Sequence, residues 1–234
     1  MIEVLGPTVS PFVVKVLAAA DYKRLSYTHR EHVSIRELGR LNPVTGKVPL
    51  VVLDGEVVFD STLILRRFDQ VQPTPALLSE DTTIAAQQRM LEDWSDESFY
   101  WYNQALRWSP ENEHRTIAQN SRFVPAPVRL FARPILRRLV GGQPKAQGLG
   151  RLPYDVLIAE LGARFDDLVR LLGKEDFFYS DRPSVADFAI YGVFSTGLGE
   201  DVTPDFSEQV SQRSALVDWH ERVKEATLHD GESR

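Results

Sequence analysis

The chain has 234 residues, 43% of them hydrophobic, no cysteine, and a formal net charge of −6 with a pI near 5.4. That length can bury one large core or two smaller ones, and the lack of cysteine excludes disulfides, thiolate metal sites and any chemistry through the protein's own sulfur. The acidic balance argues against general nucleic-acid binding. No apolar run approaches the roughly 20 residues of a membrane span, and Met1 to Pro7 lacks the features of a secretion signal, so a cytoplasmic protein is expected.

In chain order, Ile2 to Leu5 reads as a strand and Gly6 to Val9 as a turn. Phe12, Val13, Val16, Leu17 and Ala20 then recur at helical spacing, with Ser10 where an N-cap belongs and Pro11 where the first helical residue belongs. Leu25 to Val33 alternates as a second strand, and Ser34 can cap a short helix ending near Asn42-Pro43. Pro49 to Leu53 and Glu56 to Phe59 are β-branched runs around Asp54-Gly55, a strong hairpin signal, after which Ser61 is expected to cap a helix carrying Leu63, Ile64 and Phe68. The order is therefore βαβαββα over residues 1–72, an α+β domain. Gln72 to Pro75 reads as a linker. From residue 80 to 234 the pattern is helical throughout: one long amphipathic stretch from about Thr82 to Trp108, another from about Pro153 to Leu172, and others starting near Ser184 and Ser207. The fold class is an α+β N-terminal domain followed by an all-α C-terminal domain.

Four segments stand in an order and spacing that resembles the glutathione transferase superfamily: Ser10 to Val16, Asn42-Pro43 through Gly46-Lys47-Val48-Pro49, Asp60-Ser61, and Ser184 to Asp187. The resemblance spans nearly the whole chain. It implies a thioredoxin-like N-terminal domain, glutathione as co-substrate, a hydrophobic electrophile or peroxide as second substrate, and a homodimer. Within it, Val48-Pro49 takes the place of a cis-proline whose preceding residue leaves its N–H and C=O free for the cysteinyl backbone of glutathione. Asp60 and Ser61, at a strand-to-helix corner, would hold the γ-glutamyl end. Lys47 would pair with the glycyl carboxylate. Ser10 would donate to the glutathione thiolate at a helix N-terminus, with Thr8 as rival in the same loop. The implied activity is that of a serine-type glutathione S-transferase. The segment from Gly148 through Phe178 also resembles the metaxin and failed-axon-connections branch, which makes a non-catalytic binding or scaffold protein the alternative.

An electrophile pocket should be concave and apolar. Pro11 and Phe12 stand beside Ser10, and Trp94, Trp101 and Trp108 recur every seven residues, so one helical face is expected to carry all three over the sulfur. Ser184 to Asp187 reads as a capping box with Pro183 and Phe188 as a hydrophobic staple. His29, His32, His114, His220 and His229 show no metal-ligand spacing, so no metal is expected. Between His114 and Tyr154 lie eight cations and no carboxylate, interleaved with Leu130, Phe131, Ile135, Leu136 and Leu139. That run reads as a solvated helix face balanced by acids elsewhere, with a membrane-surface helix as the rival and membrane contact not expected.

Overall fold

The structure, a computed structural model, describes residues 1–123, 127 and 132–228. A four-stranded sheet has the order β2-β1-β3-β4, built from β1 (Ile2–Leu5), β2 (Tyr27–Arg30), β3 (Leu50–Leu53) and β4 (Glu56–Phe59). β1 runs parallel to β2 and antiparallel to β3, and β3 and β4 form the hairpin around Asp54 and Gly55. The parallel pair needs a crossover, supplied by α1 (Pro11–Tyr22); α2 (Ile35–Leu41) and α3 (Ser61–Val71) complete the βαβαββα order. The register decides where chemistry can gather. Leu5 pairs with Leu50 and Leu50 with Phe59, so the loop after β1, the segment before β3 and the corner after β4 all emerge at one end of the sheet.

Beyond α3 the described chain is helical. The principal helices are α4 (Thr82–Trp94), α5 (Tyr100–Arg107), α6 (Glu113–Asn120), α7 (Ala132–Leu136), α8 (Gln143–Gln147), α9 (Tyr154–Leu172), α10 (Val185–Leu198), α11 (Pro204–Ser211) and α12 (Ser214–Thr227). A core of Phe99, Phe165, Phe194, Phe206 and Trp219 joins them, its rings meeting edge-on or tilted at 5–6.5 Å. α1 packs chiefly on α10, which is how the sheet domain and the helices share one interface. Lys23 fastens the connecting segment, its ammonium held by Asp69 at 2.6 Å and by the Pro75 carbonyl at 2.6 Å.

Several sequence expectations are corrected. The stretch from Thr82 to Trp108 is not one regular helix, because a π-helical turn at Ser95–Phe99 separates α4 from α5. The helix expected near Ser207 begins at Pro204, whose fixed φ suits the first helical position. The helix after β4 is capped by Asp60 and not by Ser61. The basic stretch is broken into short pieces, and Arg137 pairs with Glu113 at 2.9 Å; Arg129, Leu130 and Phe131, and the side chains of Ile135 and Leu139, lie outside the described residues, as does His229. Among the described residues no helix is long and apolar enough to cross a membrane.

Candidate functional site

At the sheet end defined above, a cleft of about 360 Å³ opens between the two parts of the chain. Ser10, Pro11 and Phe12 form one wall, Lys47 and Val48 a second, and Trp101 and Trp108 a third. Pro49, Asp60 and Ser61 do not line the cleft, and Trp94 is elsewhere altogether.

Ser10 occupies the N-cap position of α1 with extended backbone, yet its hydroxyl makes no cap bond. The carbonyl of Ser10 accepts from the Val13 and Val14 amides at 3.1 Å, while Pro11 has no N–H, so the Phe12 amide is the first that the helix offers, and it has no acceptor among the described residues. An unoccupied hydroxyl and an unoccupied amide at the positive end of a helix form a site suited to an anion. Thr8, the rival, is engaged elsewhere: its hydroxyl donates to Glu31 at 2.6 Å, and it does not reach the cleft.

The Val48–Pro49 peptide bond is cis, as is Thr74–Pro75. β3 starts only at Leu50, and the N–H and C=O of Val48 have no partner among the described residues. Asn42 holds the approach to this segment, its side-chain amide donating to Thr45 Oγ1 at 2.6 Å and to the Lys47 carbonyl at 3.1 Å. Lys47 itself is exposed.

At the corner after β4, Asp60 has φ of 74°, the left-handed region that side chains rarely adopt. Its carboxylate accepts from the Thr62 and Leu63 amides at 3.0 and 3.2 Å. Aspartate is short enough to turn back onto its own helix in this way. Capping by Asp60 leaves the Ser61 amide and hydroxyl without a partner among the described residues, facing the same sheet end as Val48.

Sequence reading missed the cluster beneath this corner. Lys15 on α1 is fully buried and reaches Glu92 at 2.7 Å, Asp96 at 2.6 Å and the Thr62 hydroxyl at 3.3 Å. Thr62 in turn donates to Glu92 at 3.0 Å. The available signal was a lone cation on the otherwise apolar face of α1. Asp96 lines the cleft with 13% of its side chain exposed, and burial pushes its carboxyl up to about 6 although Lys15 opposes the shift. Because the folded pKa is raised, the native state binds this proton more tightly than the unfolded chain does. The contribution to stability is present below about pH 4 and lost as pH rises through about 6. Asp96→Asn should therefore flatten the fall in melting temperature between pH 4 and 6 relative to wild type; parallel curves for the two proteins would refute the linkage.

The π-helical turn also explains the misplaced tryptophan. An i→i+5 turn advances each residue by less than the 100° of an α-helix, so the seven-residue alignment is lost across Ser95–Phe99. Trp94 stacks on Phe99 at 5.1 Å on the far side, whereas Glu97, Trp101, Gln104 and Trp108 continue along the cleft. Tyr100 joins them, its ring 4.9 Å from Phe12, and burial pushes its hydroxyl up to about 12, so it stays protonated. Among the described residues no group of three or more His, Asp or Glu side chains is placed to hold a metal.

A β2-β1-β3-β4 sheet with this crossover, followed by a helical bundle that closes a cleft over the end of the sheet, defines a thioredoxin-like domain joined to an all-helical one. Residues 9–71 match the family model of the glutathione S-transferase N-terminal domain. Glutathione transferase GST 23 of Zea mays is 38% identical over 73 residues, covering 30% of this chain and 33% of that protein, so the match spans a third of the relative's own length. Protein LigF of Sphingobium sp. strain SYK-6 is 26% identical over 215 residues, 81% of this chain and 79% of LigF. The crystal structure of LigF, described as a β-etherase, superposes with a TM-score of 0.59 over 94% of this chain and 99% of that one. Rice GST1 in complex with glutathione superposes with a TM-score of 0.58 at 22% identity, over 97% of this chain and 95% of that one. Residues 9–71 thus carry a glutathione S-transferase N-terminal domain, and the chain as a whole has the fold of the glutathione transferases on which it superposes.

Proposed function

We propose that the protein is a serine-type glutathione transferase, in which Ser10 stabilises the glutathione thiolate for attack on an electrophile held against Phe12, Tyr100, Trp101 and Trp108. The observation that carries this reading is the convergence, at one sheet end, of backbone and hydroxyl groups with no internal partner: the Ser10 hydroxyl, the Phe12 amide, both polar groups of Val48, and the Ser61 amide and hydroxyl. Glutathione is an extended peptide with a carboxylate at each end and a thiol between. Val48 pairs with its cysteinyl backbone as an added strand would, Ser61 and the start of α3 take the γ-glutamyl carboxylate, Asp60 stands next to the ammonium, and Lys47 meets the glycyl carboxylate. The sulfur then lies by the start of α1, where the Ser10 O–H and Phe12 N–H donate to it and favour its ionisation. The thiolate forms a bond to an electrophilic atom and the leaving group departs with the bonding pair. The protein lends position and electrostatics to a nucleophile that it does not own. The likeness to LigF makes an aromatic ether one electrophile to test, and the aromatic wall of the cleft supports that choice.

Calorimetric titration with glutathione tests the whole reading: binding at micromolar to millimolar ligand is expected, and the absence of heat from a folded sample ends it. Ser10→Ala should leave the glutathione affinity nearly unchanged, raise the pKa of the bound thiol, and lower turnover by about 100-fold, the scale of losing one donor to a developing anion. Thiolate absorbance against pH reads this directly; an unaltered thiol pKa and turnover would transfer the role to the Phe12 amide.

A non-catalytic binding protein of the same fold is the second reading, favoured by Asp60, whose carboxylate already accepts from two amides of its own helix. Saturable glutathione binding without turnover on any electrophile distinguishes it. A second copy of the chain is the expected partner, supported by the apolar face left bare by α4 and α9, where Met90 is 70% and Leu171 43% exposed beside Trp94.

A further inference from the structure

Trp108 ends α5 and borders two spaces. One is the cleft described above; the other is a smaller cavity of about 260 Å³, lined by the Ser109–Glu111 turn, α8, the segment around Gly150–Leu152 and the start of α9. We propose that this second cavity is a binding site for a small, neutral, single-ring aromatic compound bearing a hydroxyl group, separate from the glutathione cleft and divided from it by Trp108.

Two glycines of the lining are packed closely on their neighbours. A Cβ on Gly141 would stand 2.7 Å from Trp108 Cε3, and one on Gly150 would stand 2.7 Å from the Pro144 carbonyl carbon. The lining is divided about evenly between apolar surface, from Ala105, Pro110, Pro144 and Leu157 among others, and polar surface, which suits an occupant that carries both a ring and a polar group. The volume lies just under the usual range for drug-sized ligands, which limits the occupant to about one ring.

Two features set the polarity of the occupant. Glu111 and Lys145 are both exposed at the mouth and carry opposite signs, so neither an anion nor a cation gains net potential by entering. Inside, the Tyr154 hydroxyl is committed to Asp205 and Asn112, whereas the Ser109 hydroxyl is buried and without a partner. Turning toward the cavity costs Ser109 no existing bond and gives it a ligand hydroxyl to meet. The partition has a further consequence: Val140 and Gln143 line the cleft while Gly141 and Pro144 line the cavity, so an occupant bears on the electrophile wall and not on Ser10 or Val48.

The test titrates the intact protein with p-cresol and with toluene by calorimetry. Wild type should bind p-cresol saturably and about fivefold more tightly than toluene, the equivalent of one net hydrogen bond of about 1 kcal/mol. Ser109→Ala should bind the two probes equally. Leu152→Trp, at a rim position that is 40% exposed, should abolish this binding while leaving glutathione titration unaltered, and Lys145→Trp plugs the mouth from the opposite rim should the first variant melt early. No saturable p-cresol binding at millimolar concentration, or equal binding by wild type and both rim variants, would overturn the proposal whatever glutathione does.

Discussion

Gly192→Ala should lower the melting temperature by about 10 °C and, in the fraction still folded, slow turnover by about 100-fold. Gly192 lies on the face of α10 that meets α1, and a Cβ there would stand 2.2 Å from the Pro11 carbonyl oxygen, 3.1 Å from its carbon and 3.3 Å from the Lys15 amide nitrogen. These are backbone atoms and cannot rotate away, and the Pro11 ring fixes the local φ. The two helices must part by about 1 Å, an overpacking strain of about 3 kcal/mol or more for the interface that joins the sheet to the helical bundle. With the role proposed for Ser10, the effect on turnover comes from geometry: Ser10 is bonded directly to Pro11, so whatever moves the start of α1 moves its hydroxyl, and a misplacement of about 1 Å is worth about 100-fold in rate. Calorimetric melting together with turnover measured well below the transition separates the two effects. A melting temperature within 2 °C of wild type would mean that the helices have room that the distances deny.

The parts of this site that were legible in the sequence are those fixed by local chemistry. Asp54-Gly55 between β-branched runs marks the β3–β4 hairpin, and Ser10-Pro11 before an apolar periodicity marks the start of α1; both depend on a few adjacent residues whose backbone preferences are strong. Two kinds of feature were not legible. One is a change of helical pitch. The π-helical turn at Ser95–Phe99 has no compositional mark, yet it rotates Trp94 away from Trp101 and Trp108 and brings Asp96 and Glu97 to the cleft. The other is long-range pairing. Lys15, Thr62, Glu92 and Asp96 come from α1, α3, α4 and the π-helical turn, and nothing at any single position announces that they meet. Asp60 shows the same limit at short range: the sequence points to Ser61 as the cap of α3, but the positive φ of Asp60 and the two amides that donate to its carboxylate make Asp60 the cap.

Asp187→Ala should be at least as damaging as Gly192→Ala, and for a different reason. Asp187 is fully buried in the first turn of α10, where its Oδ2 accepts from the Ser184 amide and hydroxyl at 2.9 Å, closing the capping box. Its Oδ1 accepts from the Phe178 amide at 3.0 Å and from Trp219 Nε1 at 2.9 Å, so the same carboxylate ties α10 to the turn before it and to α12. Burial pushes this carboxyl up to about 6 against the pull of the four donors; at pH 7 the ionised form still prevails. Alanine would strand four donors in the core, a cost of about 3–5 kcal/mol, which in a chain of this size lowers the melting temperature by about 10 °C or more. Asparagine keeps one oxygen and turns an NH₂ toward donors on the other side, so Asp187→Asn should recover part of the loss and no more. Since α10 is the surface on which α1 rests, the alanine variant should also expose the Trp219 indole, visible as a red shift of its emission before the main transition. A melting curve and emission maximum unchanged from wild type would show that the core of α10 is organised by its apolar packing alone.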